Sequence, residues 1–108
     1  MNADNVKSQM RKGILEYCIL LILDSEPAYA SDIIRVLQEA HLIVVEGTLY
    51  PLLTRLKNME LLSYQWIEST QGPPRKYYKL TPAGEAFLKE LGAAWEEISE
   101  TINHLKKL

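Results

Sequence analysis

The chain has 108 residues, of which 47% are hydrophobic and 24% are charged. This balance is typical of one globular domain and excludes a disordered chain. The single cysteine, Cys18, excludes a disulfide framework and a zinc cluster built on cysteines, and no apolar run is long enough to span a bilayer. We therefore expect a cytoplasmic protein without membrane contact.

The net charge of -2 is unevenly distributed along the chain. Residues 46–80 contain five basic and three acidic side chains, whereas the segments on either side are both net acidic. A positive centre between acidic flanks fits a nucleic-acid-reading segment carried on a scaffold that does not bind nucleic acid.

The first predicted helix runs from about Val6 to Leu23. Apolar residues recur at spacings of three and four and form a stripe, namely Met10, Ile14, Tyr17, Cys18, Leu21 and Ile22. Three basic residues lie near the start of this helix, where they oppose its dipole: Lys7, Arg11 and Lys12. Their unfavourable position suggests a functional requirement.

A second helix is predicted over about Ala30 to Ala40, and a third from Glu46 or Gly47 to about Met59. Pro51 is compatible with the first turn of the third helix. The inward stripe of that helix consists of Leu49, Leu52, Leu53 and Leu56. Polar and bulky residues remain for its outer face: Thr48, Tyr50, Pro51, Thr54, Arg55 and Lys57.

A β-hairpin follows, with strands over Leu62 to Ile67 and Arg75 to Leu80. Leu62, Tyr64 and Trp66 alternate with polar residues and therefore share one face of the first strand. A polar loop with strong breakers is predicted for residues 68–74. Thr81 and Pro82 then form an N-cap and a first helical position, which begins a last helix that runs to the C-terminus.

Three helices followed by a hairpin are typical of a helix-turn-helix with a β-wing. The predicted fold is mainly α with a small β-hairpin: a winged helix-turn-helix over residues 1–80 and a C-terminal dimerisation helix over 81–108. In such a fold the third helix enters the major groove, where Thr48, Tyr50 and Thr54 can contact bases or phosphates. Arg55 and Lys57 can pair with phosphates. Alternatively, these are ordinary solvated positions, or the fold is a protein-interaction module.

The wing carries its own candidate residues. Gly72 permits a close approach to a duplex, and Arg75 and Lys76 supply cations beside the tip. The alternative is a plain hairpin turn whose charges maintain solubility.

The last helix contains six apolar residues separated by 3, 4, 3, 4 and 3 positions: Leu88, Leu91, Trp95, Ile98, Ile102 and Leu105. This a/d pattern predicts a dimer contact, because it persists to the final turn. The alternative is packing on the chain's own first helix. Trp95 is either an apolar anchor of that interface or one wall of a small-molecule pocket.

Catalytic and metal-binding patterns are not recognisable. His41 and His104 lack partners at ligand spacing, Cys18 lies in an apolar stripe, and the five glycines are scattered. We expect neither enzymatic activity nor a cofactor.

Several motifs together resemble the PadR-like transcriptional regulators, in particular a short subgroup with one C-terminal helix. The resemblance covers nearly the whole chain and rests on Lys12-Gly13 with Leu15-Glu16, on residues 47–53 with Arg55-Leu56, on residues 72–78, on Leu80-Thr81 with Gly84, and on Trp95. It implies a homodimeric repressor that binds a pseudo-palindromic double-stranded DNA operator, with the third helix in the major groove and the wing on the backbone or in the minor groove.

The resemblance also extends the list of site residues. It adds Lys12, Tyr29, Ser31 and Pro51 to the DNA-binding set, and it implies a small aromatic or hydrophobic effector near Trp95 with Ile14 or Cys18. One departure concerns the segment before the second helix, where the family often has Tyr-Gly-Tyr and this chain has Tyr29-Ala30-Ser31. A phosphate contact at that position would come from Ser31 or be absent.

Overall fold

The computed structural model describes residues 2–42 and 44–108. In chain order these residues form α1 (Ala3–Ser25), β1 (Ala28–Tyr29), α2 (Ala30–Glu39), α3 (Glu46–Asn58), β2 (Leu62–Ser69), β3 (Gly72–Leu80) and α4 (Pro82–Leu105). The predicted architecture, mainly helical with a small antiparallel sheet and a C-terminal helix, is confirmed.

Helix α1 begins three residues earlier than expected, because the Asn2 side chain accepts a hydrogen bond from the Asp4 amide at 2.8 Å and caps the helix. Its fully buried residues are Ile19, Leu20 and Leu23. The apolar stripe predicted from the sequence is only partly covered, and Met10 remains 68% exposed. The core of the chain is therefore built on the C-terminal half of α1. Within the stripe, Tyr17, Cys18 and Ile22 pack against that core from half-buried positions, whereas Met10 and Leu21 are exposed.

Helices α2 and α3 end in the same way, on a residue with a left-handed backbone. His41 has a φ of 64° and Glu60 a φ of 62°. The following amides close each helix, since Leu42 N–H donates to Leu37 O at 2.7 Å and Leu61 N–H donates to Leu56 O at 3.0 Å. This is the Schellman arrangement, here formed without glycine.

The sheet has the order β1-β3-β2, with antiparallel pairing throughout. The two-residue strand β1 was not predicted; its Tyr29 pairs with Tyr77 of β3. The polar loop expected over residues 68–74 is wrong, because β2 and β3 continue almost to the tip and leave Thr70 and Gln71 as the turn. The ladder is irregular between Ile67 and Ser69, opposite the two prolines of β3. Proline is tolerated at such a bulge, where ladder hydrogen bonds are interrupted.

The start of α4 confirms the predicted N-cap. Thr81 Oγ1 accepts from the Gly84 amide at 2.9 Å and donates to the Glu60 carbonyl oxygen at 2.6 Å, which fixes α4 against the end of α3. Gly84 lies so close to the Leu61 carbonyl oxygen that a Cβ there would overlap it. The contact makes glycine necessary for this packing.

One apolar core joins the helices to the sheet. Its residues are Ile19, Leu20, Leu23, Ala28, Ala30, Ile33, Leu37, Val44, Leu49, Leu53, Leu56, Leu61, Leu62, Tyr78 and Leu88. None of the helices in the described part of the chain is long and apolar enough to cross a membrane.

Candidate nucleic-acid interface

Burial of the inner face of α3 fixes the position of the helix and leaves its outer face exposed. Leu49, Leu53 and Leu56 are almost completely buried, as the leucine spacing predicts, while Leu52 is only half-buried. Four candidate DNA-binding residues on the opposite face are exposed: Thr48, Tyr50, Pro51 and Thr54. Since the helix is anchored on one side only, a hydroxyl-rich surface remains available to a partner.

Helix α3 begins at Glu46, as predicted, and Pro51 therefore lies in its second turn and not in the first. A proline at this position cannot donate to the Gly47 carbonyl oxygen one turn earlier. Gly47 is exposed, so water can satisfy that oxygen at little cost.

Arg55 is engaged by a carboxylate of its own chain. Its Nη1 donates to Glu16 Oε1 of α1 at 2.7 Å. Arg55 was predicted to bind phosphate, and its pairing with Glu16 was not predicted. Nothing in the local sequence links these two residues, which are 39 positions apart.

The wing and the start of α2 meet at Arg75. Its guanidinium carbon lies 3.9 Å from the centroid of the Tyr29 ring, and its Nη2 donates to Ser31 Oγ at 2.6 Å. Tyr29 in turn packs against Tyr77, with ring centroids 4.9 Å apart. Three predicted site residues are thus joined into one cluster, in which a wing cation lies beside the N-terminus of α2.

A groove of about 350 Å³ separates α3 from the wing. Its walls include Tyr50 from α3, Trp66 from β2, and Arg75 and Lys76 from β3. Tyr78 lies at its base, where burial, followed by repulsion from Tyr50 and Tyr64, raises the pKa of its phenol. The tyrosine is therefore neutral at physiological pH, and the charge of the groove comes from Arg75, Lys76 and Glu46.

The ammonium group of Lys76 lies over two aromatic rings of β2. It is 4.6 Å from the Tyr64 centroid and 5.3 Å from the Trp66 centroid. This cation–π arrangement restrains a side chain that is otherwise flexible. Gly72, at the tip, has neither a positive φ nor any atom within 4 Å of a built Cβ. The fold itself therefore does not require glycine there.

A second, smaller groove of about 260 Å³ lies between α1 and the start of α3. Lys12 and Arg11 line it together with Thr48. Arg11 and Lys12 of α1 are thus next to the first turn of the candidate recognition helix.

The six apolar residues of the a/d pattern in α4 divide into a group that is covered by the chain itself and a group that is exposed. Leu88 is buried in the core of its own chain and Leu91 is half-buried against it. The remaining four residues are 41–55% exposed: Trp95, Ile98, Ile102 and Leu105. Helix α4, about 36 Å long for its 24 residues, therefore extends a continuous apolar strip beyond the core.

The residues assigned to an effector lie on α1 and α4, which pack against each other. Ile14 and Cys18 are half-buried on α1, and Trp95 is exposed on α4. Burial raises the pKa of the Cys18 thiol, so that this cysteine is held in its neutral form.

Comparison with known proteins gives a consistent result. The model of the transcriptional regulator PadR-like family matches residues 19–90. A crystallised PadR-like transcription factor from Bacteroides fragilis is 76% identical, with a TM-score of 0.81 over 94% of this chain and 98% of the other. A PadR-like transcriptional regulator from Bacillus cereus is 38% identical, with a TM-score of 0.78 over 90% and 95% of the two chains.

Similarity to a curated relative also extends over nearly the whole chain. An uncharacterized protein of Lysinibacillus sphaericus is 30% identical over 101 residues, which cover 91% of this chain and 93% of that protein. The similarity therefore includes both the sheet-bearing part and α4.

Proposed function

The chain belongs to the PadR-like family of transcriptional regulators, and on that basis we propose that it is a homodimeric repressor that binds a pseudo-palindromic operator. The family consists of transcriptional regulators and not of enzymes. In this proposal residues 1–80 bind DNA in the cytoplasm, while α4 and the exposed stripe of α1 form the dimer.

The observation that carries the proposal is the groove between α3 and the wing. The exposed, hydroxyl-bearing Tyr50 of α3 lines one wall of this groove, and Arg75 and Lys76 line the other. A recognition helix needs donors and acceptors that reach base edges, and a wing needs cations for phosphates. Both requirements are met on the same side of the chain.

We assign roles by chemistry. Thr48, Tyr50 and Thr54 read bases from the major groove, and Pro51 packs beside them. Arg75, held by Tyr29 and Ser31, binds a phosphate at the N-terminus of α2, and Lys76 and Gly72 bring the wing to the backbone. Lys12 binds a phosphate on the other side of the recognition helix, while Arg55 reaches phosphate only after leaving Glu16.

The dimer follows from the exposed strip on α4. Trp95, Ile98, Ile102 and Leu105 would be covered by a second copy, with Met10 and Leu21 of α1 extending the same kind of surface. In a dimer of this type two recognition helices occupy successive turns of the major groove, about 34 Å apart.

Release by a small aromatic or hydrophobic effector is a further part of the proposal. Trp95, with Ile14 and Cys18, would line the site between subunits. Quenching of tryptophan fluorescence by aromatic compounds tests it, and a Trp95→Ala variant separates this signal from that of Trp66. Quenching that survives in Trp95→Ala would remove Trp95 from the effector site.

Selection of bound duplexes from a random library at fixed salt tests the main proposal. We expect enrichment of an inverted repeat with half-sites one helical turn apart, and a reporter placed behind this repeat should be expressed less when the protein is present. A chain that binds no duplex even at low salt would instead favour a protein-interaction or ligand-sequestering dimer, for which the net charge of -2 is the supporting observation.

A further inference from the structure

Trp66 is the most exposed aromatic residue among those lining the groove between α3 and the wing. It follows Leu62 and Tyr64 on one face of β2, and exposure rises along this face from 2% at Leu62 to 59% at Trp66. An indole buries a large apolar area when it is covered, so leaving it in water forgoes much stabilisation. Tryptophan is enriched at binding interfaces, where its large apolar ring becomes covered.

The orientation of this indole is restrained by its neighbours. Tyr64 makes an edge-to-face contact with it at 5.9 Å, and Lys76, its cross-strand partner in the ladder, lies over the ring. The ring therefore loses little conformational freedom on binding a partner. Its groove is shared with Tyr50 of α3 and with Arg75, so the indole faces the recognition helix.

We propose that Trp66 is a DNA-contact residue whose indole packs on deoxyribose in the backbone strand that lies between the wing and α3. The inference rests on the proposed DNA-binding function and adds a residue to it. Deoxyribose is the apolar part of the backbone, with a phosphate on each side. The indole lies against the ammonium group of Lys76, with Arg75 in the same groove, so apolar surface and positive charge also occur side by side on the protein.

The charge of the groove and its continuity with the cluster around Arg75 both favour DNA as the partner that covers Trp66. Two cations and one carboxylate, Glu46, line this groove, which favours an anionic partner. The indole is continuous with the proposed phosphate-binding cluster at Arg75. Bases of a duplex are stacked and shielded from an indole at the backbone, whereas the sugars are exposed along the strand.

The contact can be observed directly, because the chain has two tryptophans. Protein labelled with 5-fluorotryptophan is titrated with the duplex selected above, and a Trp66→Phe variant assigns the two fluorine resonances. We expect the Trp66 resonance to shift until DNA saturates the protein and to lose its solvent isotope effect in the complex. An unshifted Trp66 resonance at saturation would overturn the proposal.

Affinity measurements at several salt concentrations distinguish direct contact from positioning of Lys76. Trp66→Ala should weaken binding about tenfold without changing the salt slope, because an indole neutralises no phosphate. Lys76→Ala should reduce the slope by about 0.9. Trp66→Phe should lose less affinity than Trp66→Ala, since a ring still covers the sugar.

The following controls distinguish a failure of the Trp66 proposal from a failure of the proposed DNA-binding function. Leu108→Ala, at an almost fully exposed apolar residue of the C-terminus, should bind DNA unchanged. A Trp66→Ala protein with a reduced salt slope, or with unchanged affinity, would contradict direct contact by Trp66. Failure of the unmodified protein to bind any duplex would instead reject the proposed function itself.

Discussion

Arg55 of α3 and Glu16 of α1 form an ion pair, with 2.7 Å between Nη1 and Oε1. The pair connects the helix proposed to read DNA with a helix proposed to form the dimer. The Arg55 side chain is 63% exposed, so the pair contributes little to stability. In the proposed DNA complex, a phosphate would have to compete with Glu16 for this guanidinium.

We expect Glu16→Gln to bind DNA more tightly than the unmodified protein, since the amide no longer holds Arg55. The salt slope should become steeper by about 0.9, corresponding to one additional phosphate contact. The matched control is Glu39→Gln, which removes an exposed carboxylate from its own arginine pair within α2. Equal affinities of the two variants would show that Glu16 does not withhold Arg55.

We expect Tyr29 to affect DNA binding through the position of the Arg75 side chain. Tyr29→Leu removes the ring under the guanidinium and should weaken DNA binding about three- to fivefold, the range of an exposed cation–π contact. Tyr29→Phe keeps the ring and should bind normally. In the background of Arg75→Ala, the leucine substitution should have no further effect. An additive loss in the double variant would mean that Tyr29 contacts DNA itself.

Gly84→Ala should destabilise the fold by about 2–3 kcal/mol, because the new methyl group overlaps the Leu61 backbone and forces α4 away from α3. Chemical denaturation measures the loss. Gly13→Ala is the matched control, since a Cβ at that helical position meets nothing within 4 Å. It should be neutral or stabilising by about 1 kcal/mol. A Gly84→Ala protein as stable as the control would contradict the close packing.

Ile98→Asp should dissociate the proposed dimer, because it introduces a charge into the exposed apolar strip of α4. Sedimentation velocity at several concentrations measures the change. Ala93→Asp introduces the same charge at an exposed position on the opposite face of the helix and should leave the dimer intact. If both variants sediment as dimers, the strip is not the interface.

Cys18 should react slowly with iodoacetamide in the folded protein. Burial raises the pKa of its thiol, so the inflection of the rate–pH profile should lie at higher pH than in urea. The folded state gains stability from the neutral thiol below the ordinary cysteine pKa and loses it as the pH rises through the raised value. Coincident profiles in buffer and in urea would show that the thiol is not desolvated.

Sequence patterns predicted the helices and the hairpin because these elements depend on local spacing. The leucines of α3 and the Thr81-Pro82 start of α4 are signals within one or two turns of a helix. The ends of α2 and α3 were predicted to within one residue, at about Ala40 and Met59, but the left-handed backbone of His41 and Glu60 that closes them was not predicted, because it usually marks glycine. The strand β1 is too short for periodicity, and it exists because β3 supplies its hydrogen-bonding partner.

Spacing alone therefore predicted the exposed outer face of α3 and the apolar pattern of α4, but not that the first two residues of that pattern pack on their own chain. Tertiary structure decided how those side chains are combined: Arg55 with Glu16, and Arg75 with Tyr29 and Ser31. These contacts join residues 39 and 44 positions apart. The physical reason is that helix periodicity fixes which way a side chain points, whereas only packing of separate elements decides which charges and rings it meets.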